Sequence, residues 1–445
     1  MTMKKNNILI ALCMMLFMAS CDNYLDIKPT GSVIPTTLAE HRALWANTYN
    51  SIPADRGLAS FASDEMYVNN ETDRGSYGDI EVWNTAGGSA STVSFSWAKY
   101  YNALFMANHL ISNYKDITDG SKADIEQLRG EAYLMRAYLH FVLVNLYGQP
   151  YTREGASGTK SIPLKLDTDL EKTYTRNTVE EVYTSLLVDM DEAGKLLHVA
   201  AWDDITLSYR FTTLCVPAIR SRVYLYMGKW AEAYKDAEAA LTVKDTLEDY
   251  NTATFKLANA YNSVEAINPL EYTITSNYQN AASPTESLLN LYGEGDLRPA
   301  AYFSQPDADG KRSCLKGGSN EFRCTIRTSE LYLNSAEAAA RQGMLPQART
   351  RLLQLMKHRY TAQAYAAKEA AVNAMEQEAL LGEILNERAR ELAFEGHRWF
   401  DLRRTTRPRL EKTVGGKTYV LEQDDSRYTF RIPNEAIQAN PELGK

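Results

Sequence analysis

The acidic residues and the histidine near the carboxyl end of this sequence are the first candidates for chemistry. Glu391, Glu395, His397 and Asp401 lie close together in the chain. Carboxylates and an imidazole at this spacing could act as general acid and general base. Catalytic groups of this kind usually need surroundings that shift their pKa values from the ordinary range. The charges around the four residues therefore decide between a catalytic and a structural role.

Arginines alternate with these acids. On a helix, Glu387, Glu391 and Glu395 with Arg388 and Arg398 would form ladders of opposite charge at i,i+3 and i,i+4. Nearby guanidinium groups favour the ionised carboxylates, and bidentate Arg–carboxylate bonds explain these residue types without any reaction. We therefore predict a structural cluster that locks the last helix onto the helices before it.

Other catalytic patterns are missing from the sequence. It contains no G-x-S-x-G, H-E-x-x-H, Walker loop or G-x-G-x-x-G. A glycosidase needs only two suitably separated carboxylates, and Asp64, Glu65 and Glu71 are available, but no spacing favours any pair. With six scattered histidines and no C-x-x-C, we also expect no metal site and no cofactor. The sequence favours a protein that is not an enzyme.

The cysteines and the net charge bear on the compartment and on the partners of the protein. Cys314 and Cys324 lie in one Gly-rich loop region and could pair in an oxidising compartment, whereas Cys215 fits a buried position in a helix. The formal net charge is −8 and no long Lys/Arg run offsets it, so nucleic acid is a poor partner.

The first residues predict export. Lys4 and Lys5 precede an apolar run at 8–18, which is too short to span a membrane and fits a signal peptide over residues 1–20. The run ends in Met-Ala-Ser before Cys21, which resembles a bacterial lipobox. We predict that Cys21 is lipidated with fatty acids such as palmitate, and that residues 21–38 form a tether. The alternative is an ordinary signal peptide with an accidental cysteine.

Helical periodicity covers much of the remaining chain. Helices are predicted at 39–50, 97–114, 123–147, 178–197 and 379–400, and Thr178 with Glu181 forms a capping box. In residues 209–241 the spacing is that of a tetratricopeptide unit, at Ser221, Tyr224, Gly228, Trp230, Ala233, Ala237 and Ala240. A second copy is formed by Ala336, Gly343, Leu345, Ala348, Leu352 and Leu355. Any Ala-rich helical hairpin shares part of this pattern, but the equal Gly-to-Ala spacing in both copies favours repeats.

Two stretches lack this periodicity, at about 51–96 and 244–325, and are predicted to be loop-rich insertions. We therefore expect a mainly α protein with little β structure, in which a tetratricopeptide-like scaffold of helical hairpins carries the insertions. A single domain would extend over residues 39–445.

Four segments in order resemble the SusD/RagB family. They are the start at residues 22–29 (DNYLDIKP), residues 129–138 (RGEAYLMRAY) with 143–148 (LVNLYG), residues 387–404 (ERARELAFEGHRWFDLRR), and residues 432–437 (IPNEAI) with Asn440-Pro441. The third segment is the most specific. The resemblance covers nearly the whole chain and implies a lipid-anchored protein at the cell surface, on the outer membrane of Bacteroidota. Such proteins bind nutrient and pass it to a SusC-like TonB-dependent barrel.

For a glycan ligand, aromatic rings and polar groups that reach hydroxyls are the expected binding residues. The first insertion is richest in them, and starch-binding members of the family use aromatic residues and an amide from this part of the chain. Tentative ligand-binding residues are Asp64, Tyr67, Tyr77, Asp79, Trp83 and Asn84, with Tyr278 and Tyr292 from the second insertion. The alternative role for Trp83 is an anchor that packs the loop down.

Three functions remain open from the sequence. The leading one is glycan binding for a transporter, without catalysis. The same scaffold could instead bind peptides, or, less in keeping with the sequence, it could act as a lipid-anchored glycoside hydrolase.

Overall fold

The computed structural model describes residues 35–84, 91–257, 259–319 and 321–445. Its helices are α1 (Leu38–Asn50), α2 (Asp55–Ala59), α3 (Glu71–Glu81), α4 (Trp97–Asn113), α5 (Lys122–Tyr147), α6 (Val179–Leu196), α7 (Cys215–Met227), α8 (Trp230–Val243), α9 (Ser276–Ala281), α10 (Glu286–Leu289), α11 (Arg298–Tyr302), α12 (Thr328–Arg341), α13 (Leu345–Lys357), α14 (Ala362–Ala374), α15 (Gln377–Glu391), α16 (Arg398–Arg404) and α17 (Asn434–Ala439). Short strands form three antiparallel pairs: β1 (Met66–Val68) with β3 (Ala282–Pro284), β2 (Ala266–Asn268) with β4 (Ile326–Arg327), and β5 (Leu410–Val414) with β6 (Lys417–Leu421). The mainly helical fold class is confirmed.

The helical hairpins follow the predicted repeat. Helices α7 and α8 meet at Gly228, and α12 and α13 meet at Gly343, with φ values of 72° and 74°. In both turns the residue after the glycine donates its amide across the turn, from Lys229 to Tyr224 and from Met344 to Ala339, each at 2.9 Å. A positive φ suits glycine because it has no Cβ. The two copies therefore share one turn geometry as well as one spacing.

The predicted insertions contain more regular structure than expected. Helix α3 occupies Glu71–Glu81, within the stretch predicted as irregular. Asn70 caps its N-terminus, because its side chain accepts from the Asp73 amide at 2.8 Å. The second insertion holds three short helices and the strands β2 and β3. These helices are short or polar and these strands have only three residues each, so their periodicity is weak in the sequence.

The predicted helix at 379–400 is wrong beyond Glu391. Phe394 and Gly396 have φ values of 61° and 71°, so the chain turns before α16 begins at Arg398. A Cβ on Gly396 would lie 2.8 Å from the carbonyl carbon of Arg56, which is closer than nonbonded atoms approach. The turn brings residues 392–397 against α2, and local periodicity does not reveal this long-range contact.

The cysteines are all free in the described residues. Cys215 is buried in α7, as predicted. Cys314 and Cys324 are also buried and unpaired, so the disulfide considered from the sequence does not form here. Burial raises the pKa of the Cys314 thiol to about 12. Both side chains serve as small apolar groups in the core.

Candidate functional site

The acidic residues near the carboxyl end form a buried network of ion pairs. Glu391 accepts hydrogen bonds from Arg327 and Arg359, each at 2.9 Å, and from Arg298 at 3.1 Å. Glu395 accepts from Arg327 Nε at 2.9 Å and from the ammonium of Lys316. These partners lie on α11, on the loop between α11 and β4, on β4 itself and on the segment after α13. The predicted cluster that locks the last helix onto the earlier ones is confirmed.

The electrostatics of this network oppose proton transfer. Burial raises the pKa of Glu391, but the attraction of Arg359 and Arg327 outweighs it and holds the pKa well below its ordinary value. Burial and four surrounding arginines lower the pKa of His397, so the imidazole stays neutral. Glu391, Glu395, His397 and Asp401 are at most 6% exposed. Groups that are shielded in this way have no route to a ligand in this structure.

The pairing partners differ from the local ladder that the sequence suggested. Arg388 bonds to Asp401 at 3.2 Å and to Asn334 at 2.8 Å, while Arg398 reaches Asp64. The ladder prediction is wrong for these residues because tertiary partners compete successfully with helical neighbours.

Asp64, one of the predicted ligand residues, is therefore part of a structural ion pair. Both of its carboxylate oxygens accept from Arg398, at 2.7 Å each. Burial raises the pKa of Asp64, and the Arg398 guanidinium lowers it to a value below the ordinary one. The pair joins the first insertion to α16.

The four tyrosines predicted as ligand residues also contribute to packing or to the strand pairs. The Tyr77 ring stacks on Phe61 at 4.8 Å between centroids, and Tyr278 meets Tyr77 edge-on at 5.6 Å. Tyr77 is 5% exposed. Tyr292 is half-buried and donates its hydroxyl to the carbonyl of Arg390 at 2.8 Å. Tyr67, also half-buried, lies in β1 opposite Ser283.

Trp83 closes the end of α3 as an anchor. Its backbone has a φ of 60°, and its indole Nε1 donates to the Ala62 carbonyl at 2.8 Å. Only 2% of the residue is exposed. This placement matches the alternative role considered for Trp83, because a ring buried to this extent offers no broad face to a sugar.

A cleft lies beside this anchor, and we call it the hairpin cleft. Its volume is about 840 Å³, and its described lining consists of Asp79, Val82, Trp83, Asn84, Lys417, Tyr419, Ser426, Arg427, Thr429 and Arg431. It runs between the end of α3, the β5–β6 hairpin and the segment at 426–431. Clefts of this size accommodate small ligands. Three residues predicted from the sequence, Asp79, Trp83 and Asn84, therefore meet at one cavity.

Hydrogen bonds hold the polar groups of the hairpin cleft in place. Asp79 accepts from the Asn84 amide at 2.8 Å and from the Thr92 hydroxyl. Asp425 holds the Arg427 guanidinium through bonds of 3.0 and 2.6 Å. Amides, hydroxyls and guanidinium groups in fixed positions can bond to the hydroxyls of a sugar.

One half-buried aromatic ring adds an apolar surface to the hairpin cleft. Tyr419 stands on β6, and Lys417 Nζ lies 4.7 Å from the centre of its ring. An aromatic face beside polar groups suits the apolar C–H face of a sugar together with its hydroxyls. The hairpin cleft thus has the composition expected of a carbohydrate site.

Residues 417–431, which form half of this cleft, were not predicted as binding residues. The consecutive glycines Gly415 and Gly416 were a local signal, because a Gly-Gly pair favours the tight turn of a β-hairpin. In the structure their φ values are 57° and 78°, and they form that turn. The sequence could therefore have predicted the hairpin, but not its position next to α3.

Metal binding and membrane spanning also bear on the site. Across 35–84, 91–257, 259–319 and 321–445, no group of three or more His, Cys, Asp or Glu side chains is arranged to hold a metal ion. None of the helices in those ranges is both long enough and apolar enough to cross a membrane. The signal peptide, Cys21 and nearly all of the tether lie outside the described residues.

The N-terminal half of the chain is similar to known SusD-like proteins. Residues 23–225 match a SusD-like family model described as "Starch-binding associating with outer membrane". A SusD-like protein of Formosa agariphila is 26% identical over 231 residues, which is 50% of this chain and 42% of that protein. These matches support the resemblance to the SusD/RagB family that the sequence motifs indicate. A second SusD-like relative, from Bacteroides ovatus, is 24% identical over 51% of this chain and 40% of its own length. The matches span less than half of these curated SusD-like relatives.

Solved SusD structures share the fold over most of the chain. A SusD superfamily protein from Bacteroides thetaiotaomicron has a TM-score of 0.77 at 20% identity, covering 92% of this chain and 99% of that structure. A structure named "Laminarin binding SusD-like protein" has a TM-score of 0.62 at 18% identity, covering 83% of this chain and 92% of its own. The SusD fold therefore includes the C-terminal half, beyond the residues that the family model matches.

Proposed function

We propose that this SusD-family protein binds an oligo- or polysaccharide in the hairpin cleft without changing it chemically. The observation that carries the proposal is the composition of the cleft, in which a half-buried tyrosine stands among fixed amide, hydroxyl and guanidinium groups on a SusD scaffold. Two structural neighbours are named as laminarin-binding and carbohydrate-binding proteins. Asp79 is the only carboxylate among the described lining residues, whereas a glycosidase commonly uses a pair of them.

Substitution of the hairpin cleft tests the proposal. We expect Asn84→Ala and Tyr419→Ala each to weaken polysaccharide binding about tenfold, because one removes an amide and the other an aromatic face. Affinity gel electrophoresis against laminarin and starch, followed by titration calorimetry, would measure the loss. Tyr365→Ala on α14 is the matched control, since Tyr365 is also half-buried and lies outside the cleft.

Three results would contradict this function. Equal binding by the Asn84, Tyr419 and Tyr365 variants would place the glycan elsewhere or remove it as the ligand. Released sugar fragments after long incubation would contradict binding without catalysis. Capture of peptides in place of glycans would favour the peptide-binding alternative.

We further propose that Cys21 carries a lipid anchor and that the chain works with a SusC-like TonB-dependent barrel at the cell surface. The lipobox-like residues before Cys21 support the anchor, and the SusD family supports the partner. In cells that carry the tagged chain, we expect it in the outer-membrane fraction together with a co-purified barrel. Cys21→Ala should move almost all of it to the soluble fraction. Membrane retention of Cys21→Ala through washing would disprove the anchor, and purification without any barrel would disprove the partner.

A further inference from the structure

A second cleft lies away from the hairpin cleft and shares none of its lining residues. Its volume is about 280 Å³, and its described lining is Asn50, Thr206, Ser208, Tyr209, Tyr261, Pro269 and Arg323. The residues come from the end of α1, the turn before α7, and the two chain segments that carry β2 and β4. We call it the arginine cleft.

Short antiparallel pairing fixes one wall of the arginine cleft. Ala260 pairs with Phe322 and Tyr272 pairs with Arg323, beyond the β2–β4 pair. The amide of Tyr261 donates to the Glu321 carbonyl at 2.9 Å. Tyr261 and Arg323 therefore project from one ribbon, whose backbone keeps them in register.

The opposite wall is tied to this ribbon. Asn268 on β2 donates its side-chain amide to the Tyr209 carbonyl at 2.8 Å. The Tyr209 ring meets Tyr49 edge-on at 5.2 Å, at the end of α1 next to Asn50. The two walls thus hold two tyrosines, an amide and two hydroxyls around one small space, which is a composition suited to a sugar ring.

Arg323 gives this cleft its specific chemistry. Its guanidinium carbon lies 4.2 Å from the centre of the Tyr272 ring, and Nη2 donates to the Tyr272 hydroxyl at 2.7 Å. In the part of the chain that the structure describes, Arg323 forms no ion pair with a carboxylate. The Asp204 carboxylate accepts a hydrogen bond from the amide of Thr206, one of the lining residues. The ring contact holds the guanidinium in place, and its remaining N–H groups can donate two parallel hydrogen bonds to an anion.

Positive charge continues into the adjoining hollow. This hollow, of about 310 Å³, shares Tyr209 with the arginine cleft and includes Arg42 and Arg210. Both arginines pair with the single buried carboxylate of Glu131, at 2.8 and 2.9 Å. Two guanidinium groups thus share one buried carboxylate. The exposed Asp124, whose pKa is lowered by its hydrogen bond with Ser121 and by the charge of Arg42, offsets part of their positive charge.

We propose that the arginine cleft binds an acidic sugar, a uronate whose carboxylate pairs with Arg323 while its ring lies against Tyr261 and Tyr209. The sugar class rests on the function proposed above, whereas the position of the site and its charge preference do not. The cleft would give the protein a second point of contact with a glycan, selective for charged units.

Titration calorimetry with trigalacturonate tests the inference, with galactotriose as the neutral probe and a sulfated galactan oligosaccharide as the second anion. We expect Arg323→Gln to weaken trigalacturonate binding about ten- to a hundredfold, in line with the loss of charge-assisted hydrogen bonds. Arg323→Lys should recover only part of the affinity, because an ammonium lacks the planar fork. Asn50→Ala changes an exposed side chain of the same cleft and should not disturb folding. Its affinity for trigalacturonate is a second, independent test of the cleft.

The outcomes separate this inference from the proposed function. Loss of trigalacturonate binding in Arg323→Gln and Asn50→Ala, but not in Asn84→Ala, supports the arginine cleft. Equal binding of galactotriose and trigalacturonate, or unchanged binding in both arginine-cleft variants, overturns it. Tighter binding of the sulfated probe overturns the assignment to a carboxylate. Loss of laminarin or starch binding in Asn84→Ala and Tyr419→Ala alone bears only on the hairpin cleft.

Discussion

Glu391→Gln should lower the free energy of unfolding by about 3–5 kcal/mol, the usual cost of removing one partner from a buried ion pair. The substitution keeps the size of the side chain and removes its charge. Arg298, Arg327 and Arg359 would then surround a neutral amide in a fully buried position. Urea unfolding followed by circular dichroism measures the change. Glu369→Gln on the exposed face of α14 is the control and should change stability by less than about 0.5 kcal/mol.

The loss of stability caused by Glu391→Gln should depend on pH in a defined direction. Because the folded chain holds the pKa of Glu391 well below its ordinary value, the ionised form is the one that stabilises the fold. This contribution is complete above the ordinary pKa of about 4.3 and is lost as the pH falls through the lower folded value. The difference between wild type and Glu391→Gln should therefore be full at neutral pH and shrink in acid. A difference that stays below about 1 kcal/mol at neutral pH would contradict the structural role of the network.

Gly396→Ala should destabilise the protein by about 2–5 kcal/mol, since it combines backbone strain with steric overlap. Gly396 has a φ of 71°, and an added Cβ would meet the backbone and the Cβ of Arg56 at 2.8 Å. Arg56 in turn bonds to Glu271 at 2.8 Å and to the Glu395 carbonyl at 3.1 Å. A displaced turn would therefore disturb the ion pairs on both sides of it.

Gly382→Ala is the matched control for that substitution. Gly382 lies within α15, is exposed and has no heavy atom within 4 Å of an added Cβ. Alanine favours a helix over glycine, so this variant should gain about 0.5–1 kcal/mol. Thermal unfolding of the two variants under the same conditions measures the difference in their stability. If Gly396→Ala were as stable as Gly382→Ala, the close approach of α2 to the turn would be refuted.

The regular helices were predictable because their periodicity and caps are local. Thr178 and Glu181 form both bonds of the capping box, at 2.7 and 3.2 Å, and Gly228 and Gly343 end their helices as predicted. These signals depend on neighbours within a few residues, which a sequence displays directly.

The candidate sites were predictable only in part. Asp79 and Asn84 do line a cleft, but Tyr419 comes from the β5–β6 hairpin and Arg427 from the segment after it, both more than three hundred residues later. Trp83 and Asp64 have the residue types of a binding site, and yet tertiary partners, Ala62 and Arg398, engage them. Residue type indicates what a side chain can do, whereas burial and partner depend on contacts between distant parts of the chain.

The long-range hydrogen bonds and ion pairs of arginine side chains also constrain the order in which the chain can fold. Arg56 bonds to the Glu395 carbonyl, Asp64 bonds to Arg398, and Arg403 donates to the Gly148 carbonyl. The N-terminal third of the chain thus needs groups from its C-terminal segment before its own buried charges are satisfied. Contacts of such separation slow folding, because the intervening chain must be ordered first. A growing chain would remain incompletely packed until residues 391–404 are synthesised, a state compatible with export in an unfolded form.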